Sequence, residues 1–210
     1  DKRDPRLTAT VIYDNYKWSE NVNDGSVNEV IYTNPSNNTP DAYKGINANS
    51  SATGYYIRKY YDPHHEAQLA LSTNIITMRY ADVLLMYAEA KIELNEIDAT
   101  VIDAMNSVRA RAYGVDKAQT TAYPAFTILS QTDMRKQLRM ERRMELAGEN
   151  LRFADLIRWR LAEVVMKQKQ YGMLYPATEC LTKVVNTGNW FWPITPDIDE
   201  NGCPDFTKME

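Results

Sequence analysis

The sequence predicts a mainly α-helical protein with a loop-rich, partly extended first third. Three observations carry this reading. Beyond about residue 76, apolar residues recur at three- and four-residue spacing in several separate runs. Small polar residues and glycines stand where those runs start and stop. Residues 15–54, by contrast, crowd Asn, Ser, Thr, Pro, Asp and Gly together with no period at all. The 210 residues, 44% apolar and 25% charged, fit one globular domain or one large piece of a bigger one.

Along the chain, Leu7 to Tyr13 reads LTATVIY, a β-branched and aromatic run that predicts a strand. The polar stretch up to Gly54 is long for a loop without structure, and loops of that length are usually functional or disordered. Tyr55 to Tyr61, YYIRKYY, suggests a second strand, ended by Asp62-Pro63. From near Ile76, the spacing of Met78, Ala81, Leu84, Leu85, Ala88 and Ile92 predicts a helix that stops at Asn95. Asp98 or Thr100 can cap the next, with Val101, Ile102, Met105 and Val108 on one face and Gly114 as a left-handed stop. The short connection makes residues 77–95 and 98–113 an antiparallel pair with covered apolar faces. A third helix starts at Ser130 or Thr132 and runs through Met134, Leu138 and Met144 to Leu146, closed by Gly148. Asn150 can cap a fourth, carrying Leu151, Phe153, Leu156, Ile157 and Trp159. After Tyr171 the chain turns loop-like. This gives an extended segment 1–75, a helical core 76–170 and a tail 171–210, all within one region.

Composition narrows the function. A formal net charge of −4 argues against nucleic acid, since phosphate binding needs a basic face. No apolar run is long enough to span a bilayer, and Asp1-Lys2-Arg3-Asp4-Pro5 is not a signal peptide. The chain reads as a processed product or an excised fragment, without the N-terminal Cys that a lipid anchor needs. Cys180 and Cys203 make no disulfide framework and are expected to be unbonded to each other. His64-His65 lacks Glu or Cys at ligand spacing, so no metal is expected. There is no Gly-rich phosphate loop and no Gly-x-Ser-x-Gly elbow, and no cofactor is expected.

The charged run Glu141, Arg142, Arg143 and Glu145 places two carboxylates on one helix face. Glycoside hydrolysis needs two carboxylates flanking a sugar in a cleft. Two arginines among four charges instead favour a structural ion-pair network, with Arg79 or Arg143 satisfying buried carbonyls or carboxylates. No catalytic residue is assigned.

The helix pair resembles a tetratricopeptide repeat, with Leu84, Tyr87 and Ala88 on its first helix and Ala104 on its second. One repeat cannot bury both faces, so partner helices are expected. Arg79 to Ala90, RYADVLLMYAEA, and Glu141 to Trp159, ERRMELAGENLRFADLIRW, closely resemble signatures of the SusD/RagB family. Trp190 to Ile198, WFWPITPDI, resembles its C-terminal segment, and Asp4-Pro5-Arg6-Leu7 resembles the opening of its C-terminal half. Gly202-Cys203-Pro204 departs from the family's usual Asn-Pro-rich turn.

The resemblance implies the C-terminal portion of a surface-exposed lipoprotein of the bacterial outer membrane. Such a protein would capture an oligosaccharide or polysaccharide for a TonB-dependent, SusC-like transporter, touching the membrane only through a lipid anchor outside this chain. It would bind without cleaving. The residues themselves place the ligand in the irregular stretch from Val11 to Gly54. A flat aromatic ring stacks on the C–H face of a sugar while polar side chains bond its hydroxyls. The expected binding residues are Trp18, Tyr13, Tyr16, Tyr32, Asn34 and Tyr43, with Trp18 exposed beside at least one of those tyrosines. The 14 Tyr and 4 Trp against 4 Phe suit such a surface. Two alternatives stand. A tetratricopeptide-type adaptor would expose a groove on the helix pair, and a glycoside hydrolase would need carboxylates facing across a cleft.

Overall fold

The structure, a computed structural model, describes residues 3–20, 27–42, 50–51, 53–61, 76–166, 197–198 and 204–205. The chain divides into two compact units. One joins Asp1–Thr10 to Ser72–Arg152, and the other joins Val11–Leu71 to Phe153–Glu210.

In the first unit, α1 (Arg6–Thr10) replaces the first half of the strand expected from Leu7 to Tyr13. The reason lies just upstream. The Asp4 carboxylate accepts a bond from the Arg6 backbone N–H at 2.9 Å, and Pro5 brings a φ already suited to a first helical turn. That local start outweighs the β-branched threonines, and only Val11 and Ile12 remain extended.

Helix α2 (Tyr80–Glu93) begins later than its apolar spacing suggested. Ile76 and Met78 precede it and are exposed. Helix α3 (Ala99–Tyr113) is capped as expected. Asp98 accepts from the N–H groups of Thr100 and Val101, and Gly114 sits at φ 66°. Helix α4 (Gln131–Glu145) is capped by Ser130, whose hydroxyl accepts from the Asp133 N–H. Leu85, Ala88, Ile92, Val101, Ala104, Met105, Val108, Phe126, Met134 and Leu138 form one buried core. Asn106 ties the connection before α4 to α3, accepting from the Phe126 N–H at 2.7 Å and donating to its carbonyl at 3.2 Å.

The helix pair is thus packed on its inner side, but its apolar faces are not both covered. Tyr80, Val83, Tyr87 and Leu94 run down the outer side of α2 and are exposed. A helix that is apolar all round needs cover on both sides; α3 and α4 supply only one.

In the second unit, β1 (Val11–Ile12) pairs antiparallel with β4 (Tyr56–Ile57), so the strand expected from Tyr55 to Tyr61 contracts to two residues. β2 (Tyr16–Glu20) pairs antiparallel with β3 (Val27–Ile31). α5 (Arg152–Arg158) starts two residues beyond the expected cap Asn150, which instead holds a left-handed φ of 60°. α6 (Ala162–Met166) follows, and β5 (Asp197–Ile198) pairs with β6 (Pro204–Asp205). No helix among the described residues is long and apolar enough to cross a membrane.

Candidate functional site

Two groups of side chains stand out chemically. The first is a buried ion-pair network in the helical unit. The Glu141 side chain, 0% exposed, lies between two guanidiniums: Arg6 Nη1 at 2.8 Å and Arg109 Nη2 at 2.5 Å. Glu145, one turn on, receives Arg6 at 3.2 Å, Arg79 at 2.8 Å and Arg111 at 2.5 Å. Asp4 and Glu149 complete the set by bonding Arg6 and Arg79 at 2.6 Å each. Four carboxylates thus meet four guanidiniums. Burial opposes the charge on Arg6, but bonds to Asp4 and Glu141 outweigh it and hold that guanidinium above its ordinary pKa. Bonds to Glu149 lead the same upward shift at Arg79. Arg142, also buried, donates to Asp82 at 2.8 Å. Of the two arginines expected to satisfy buried partners, Arg79 does so, whereas Arg143 is exposed. This arrangement staples α1, the start of α2, and α3 onto α4. The Glu141 and Glu145 carboxylates are enclosed by protein cations.

The second group is aromatic and lies in the strand-rich unit. Between β2 and β3, Lys17 pairs with Val30 and Ser19 with Glu29. Two steps on one strand match a single step on the other, so Trp18 is the extra residue of a β-bulge. Bulges re-aim a side chain out of the regular ladder and are frequent beside functional sites. The half-buried indole meets the Tyr61 ring at 4.9 Å between centroids and 55° between planes. The Arg58 guanidinium lies 5.8 Å over the indole centroid, within cation–π reach. Arg58 and Tyr61 close one tight turn. The Tyr61 N–H donates to the Arg58 carbonyl at 3.1 Å, and Arg58 Nη1 donates to the Tyr61 carbonyl at 2.8 Å. Within that turn Tyr60 is held at φ 70°, a region where a bulky residue is strained. Tyr55, Tyr60 and Tyr61 are all exposed, and Ile57 adds apolar surface between them.

The residues expected to bind fall as follows. Trp18 is half-buried rather than exposed, and its ring contact is with Tyr61, not with Tyr13, Tyr16 or Tyr32. Tyr13 and Tyr16 meet edge-on at 5.7 Å, but Tyr16 is buried at 7% exposure. Tyr32 is exposed. Asn34 caps a short 3-10 turn, its side chain accepting from the Ser36 N–H at 3.0 Å. Tyr43 lies outside the described residues, as do His64, His65, Cys180 and Cys203. The turn Arg58–Tyr61 was missed because its tyrosines and isoleucine score as strand. The signal available was rings at both even and odd positions of 55–61, which no half-buried strand can cover on one face.

One further depression, about 370 Å³, lies beside α3 between Asp103, Asn106 and Lys117. Its polar groups already serve one another. Lys117 pairs with Asp103 at 2.5 Å, and the Asn106 amide is committed to Phe126.

The family model of SusD proteins matches residues 1–194. The chain belongs to the SusD family. It is 34% identical over 143 residues to the SusD-like protein P25 of Formosa agariphila, covering 67% of this chain and 25% of that one. The SusD-like protein P38 of the same organism is 34% identical over 107 residues, covering 49% of this chain and 21% of its own length. Among solved structures, a SusD-like carbohydrate binding protein from Bacteroides fragilis superposes with a TM-score of 0.62 at 28% identity. The match covers 97% of this chain and 36% of that one. A SusD homolog from Bacteroides thetaiotaomicron superposes with a TM-score of 0.53 at 26% identity, covering 77% of this chain and 31% of its own. This SusD-family chain therefore spans about a fifth to a third of the length of these relatives. The segments that resembled the family at sequence level, residues 79–90 and 141–159, supply α2, the end of α4 and α5, and they carry Arg79, Asp82, Glu141, Arg142 and Glu145 of the ion-pair networks.

Proposed function

We propose that this chain is part of a cell-surface glycan-binding protein that captures an oligosaccharide at the outer membrane for a TonB-dependent, SusC-like transporter. Binding, not bond cleavage, is its activity. The observation that carries the reading is the bulged Trp18 with Tyr61 against it, beside the strained Tyr60. A pyranose offers an apolar C–H face to such rings and a rim of hydroxyls to the polar groups around them. The family membership supports it, as does the likeness to a carbohydrate binding protein of Bacteroides fragilis. The enclosed state of Glu141 and Glu145 supports a non-hydrolytic role.

The exposed stripe Tyr80, Val83, Tyr87 and Leu94 favours a second reading, a helical adaptor for a protein partner. A tetratricopeptide-like pair stacks on further helices of its own array, however. That accounts for the stripe without a separate partner. Calorimetric titration with a panel of oligosaccharides tests the first reading. Ring stacking is worth about 1 kcal/mol, so Trp18→Ala should weaken a bound glycan roughly fivefold. The melting temperature should move little. Equal affinity in the two proteins, or no binding to any glycan in the panel, would refute the assignment.

A further inference from the structure

We propose that the site at Trp18 is specific for a glycan carrying an anionic group, a carboxylate or a sulfate on the sugar that stacks there. The inference rests on the glycan-binding reading above and adds the charge class of the ligand. Its basis is Arg58. Four other partly or fully buried guanidiniums are matched to acids: Arg6 to Asp4 and Glu141, Arg79 to Glu145 and Glu149, Arg109 to Glu141, Arg142 to Asp82. Arg58 is half-buried too, yet among the described residues its partners are the Tyr61 carbonyl and the Trp18 ring alone. A neutral carbonyl and a ring face do not discharge a guanidinium, and several of its N–H donors remain to be used. Glu29, the acid opposite Ser19 on β3, is exposed and makes no bond to it.

The geometry suits a charged sugar. The guanidinium lies 5.8 Å from the indole centroid, beside Tyr60 and Tyr61 in the same turn, close enough to meet a charged group projecting from a sugar stacked there. A sugar stacked on the exposed rings can therefore set its anionic group at Arg58. The turn holds this cation in place. One guanidinium nitrogen is anchored to the Tyr61 carbonyl within the same four residues that present Tyr60 and Tyr61. Arg recognises carboxylate and sulfate oxygens through paired donors, and a fixed fork loses less entropy on binding than a free one.

The test compares three probes on the whole chain by calorimetry: oligogalacturonate, the same oligosaccharide with its carboxyls reduced to alcohols, and a sulfated galactan oligosaccharide. The expected result is that at least one anionic probe binds tenfold or more tighter than the reduced one. Preference for oligogalacturonate or for the sulfated probe identifies which anion is read. That advantage should disappear in Arg58→Gln and fall severalfold between low and high salt, while Trp18→Ala weakens charged and neutral probes alike. Circular dichroism of Arg58→Gln at the wild-type melting point confirms that the turn's loss has not unfolded the chain. If the variant unfolds, Arg58→Lys, which keeps the charge and loses the fork, should retain part of the anionic preference. Equal binding of reduced and anionic probes through Trp18 would overturn the charge assignment and leave glycan binding standing. Binding of none would overturn both.

Discussion

Glu141→Gln is the sharpest perturbation the structure offers. The substitution keeps the side chain's shape and removes its charge at a position with no solvent exposure. Oε1 accepts from Arg6 and Oε2 from both Arg109 and Arg6, and the amide that replaces them turns a donor toward guanidinium donors. Removing one partner of a buried ion pair costs about 3–5 kcal/mol. Two features pull the expected loss to the lower end. Arg6 keeps Asp4 on Nε and Nη2 and Glu145 at 3.2 Å, and Arg109 keeps the Pro124 carbonyl and the face of Phe126 at 3.6 Å. The expected cost is thus about 3 kcal/mol. In a chain of this size each 1 kcal/mol lowers the melting temperature by about 2–4 °C, so a fall of roughly 6–12 °C is expected. Urea denaturation followed by circular dichroism measures the free-energy cost, and a thermal melt measures the temperature shift. Arg143→Ala, exposed on the same helix, is the control and should stay within about 0.5 kcal/mol. A Glu141→Gln protein as stable as wild type, or an equal loss in Arg143→Ala, would refute the argument. A glycan-hydrolysing activity that vanished in Glu141→Gln would turn the network into a catalytic site.

Leu85 is fully buried at the centre of the helical core, so Leu85→Ala should cost about 2–5 kcal/mol in the same urea assay. Asp4 supplies a pH dependence. Hydrogen bonds from Arg6 hold its carboxyl below the ordinary value of 3.8. A depressed folded pKa gives stability that is present above the unfolded pKa and is lost as pH falls through the folded one. Wild type should therefore lose stability on acidification below about pH 4, and Asp4→Asn should show a shallower slope in urea midpoints over that window.

The helical unit was largely legible because its signals are local and redundant. Asp98 and Gly114 stand at the two ends of α3, and Val101, Met105 and Val108 repeat at helical spacing between them. Either signal alone predicts the element. Where signals competed, the reading failed. At Leu7–Thr10 the threonines spoke for a strand, while Asp4-Pro5 spoke for a helix start and prevailed. Arg142 and Arg143 are chemically alike, and only the phase of α4 decides that the first is buried and the second exposed. The site was less legible still. Trp18 stood out as a large ring in a polar stretch, but its partner Tyr61 lies 43 residues away, brought there by a turn whose left-handed Tyr60 no propensity favours. A bulge at Trp18 depends on two strands losing register, which neither strand's sequence announces alone.

The residues that reveal this family and the residues proposed to bind its ligand are different residues, for a physical reason. A buried ion-pair network tolerates little change. Each of Glu141 and Glu145 serves two or three guanidiniums from separate elements, so losing either acid removes several charged pairings at once. Such constraints write a strict sequence pattern into α2 and α4. An aromatic turn on a bulge is constrained only by the shape and charge of what it meets. Replacing Arg58 removes one ring contact and one carbonyl bond. The constraints on the scaffold and on the proposed site therefore fall on different residues. The family pattern thus argues for the scaffold, while the choice between neutral and anionic sugars must be argued from Arg58, Tyr60, Tyr61 and Trp18 themselves.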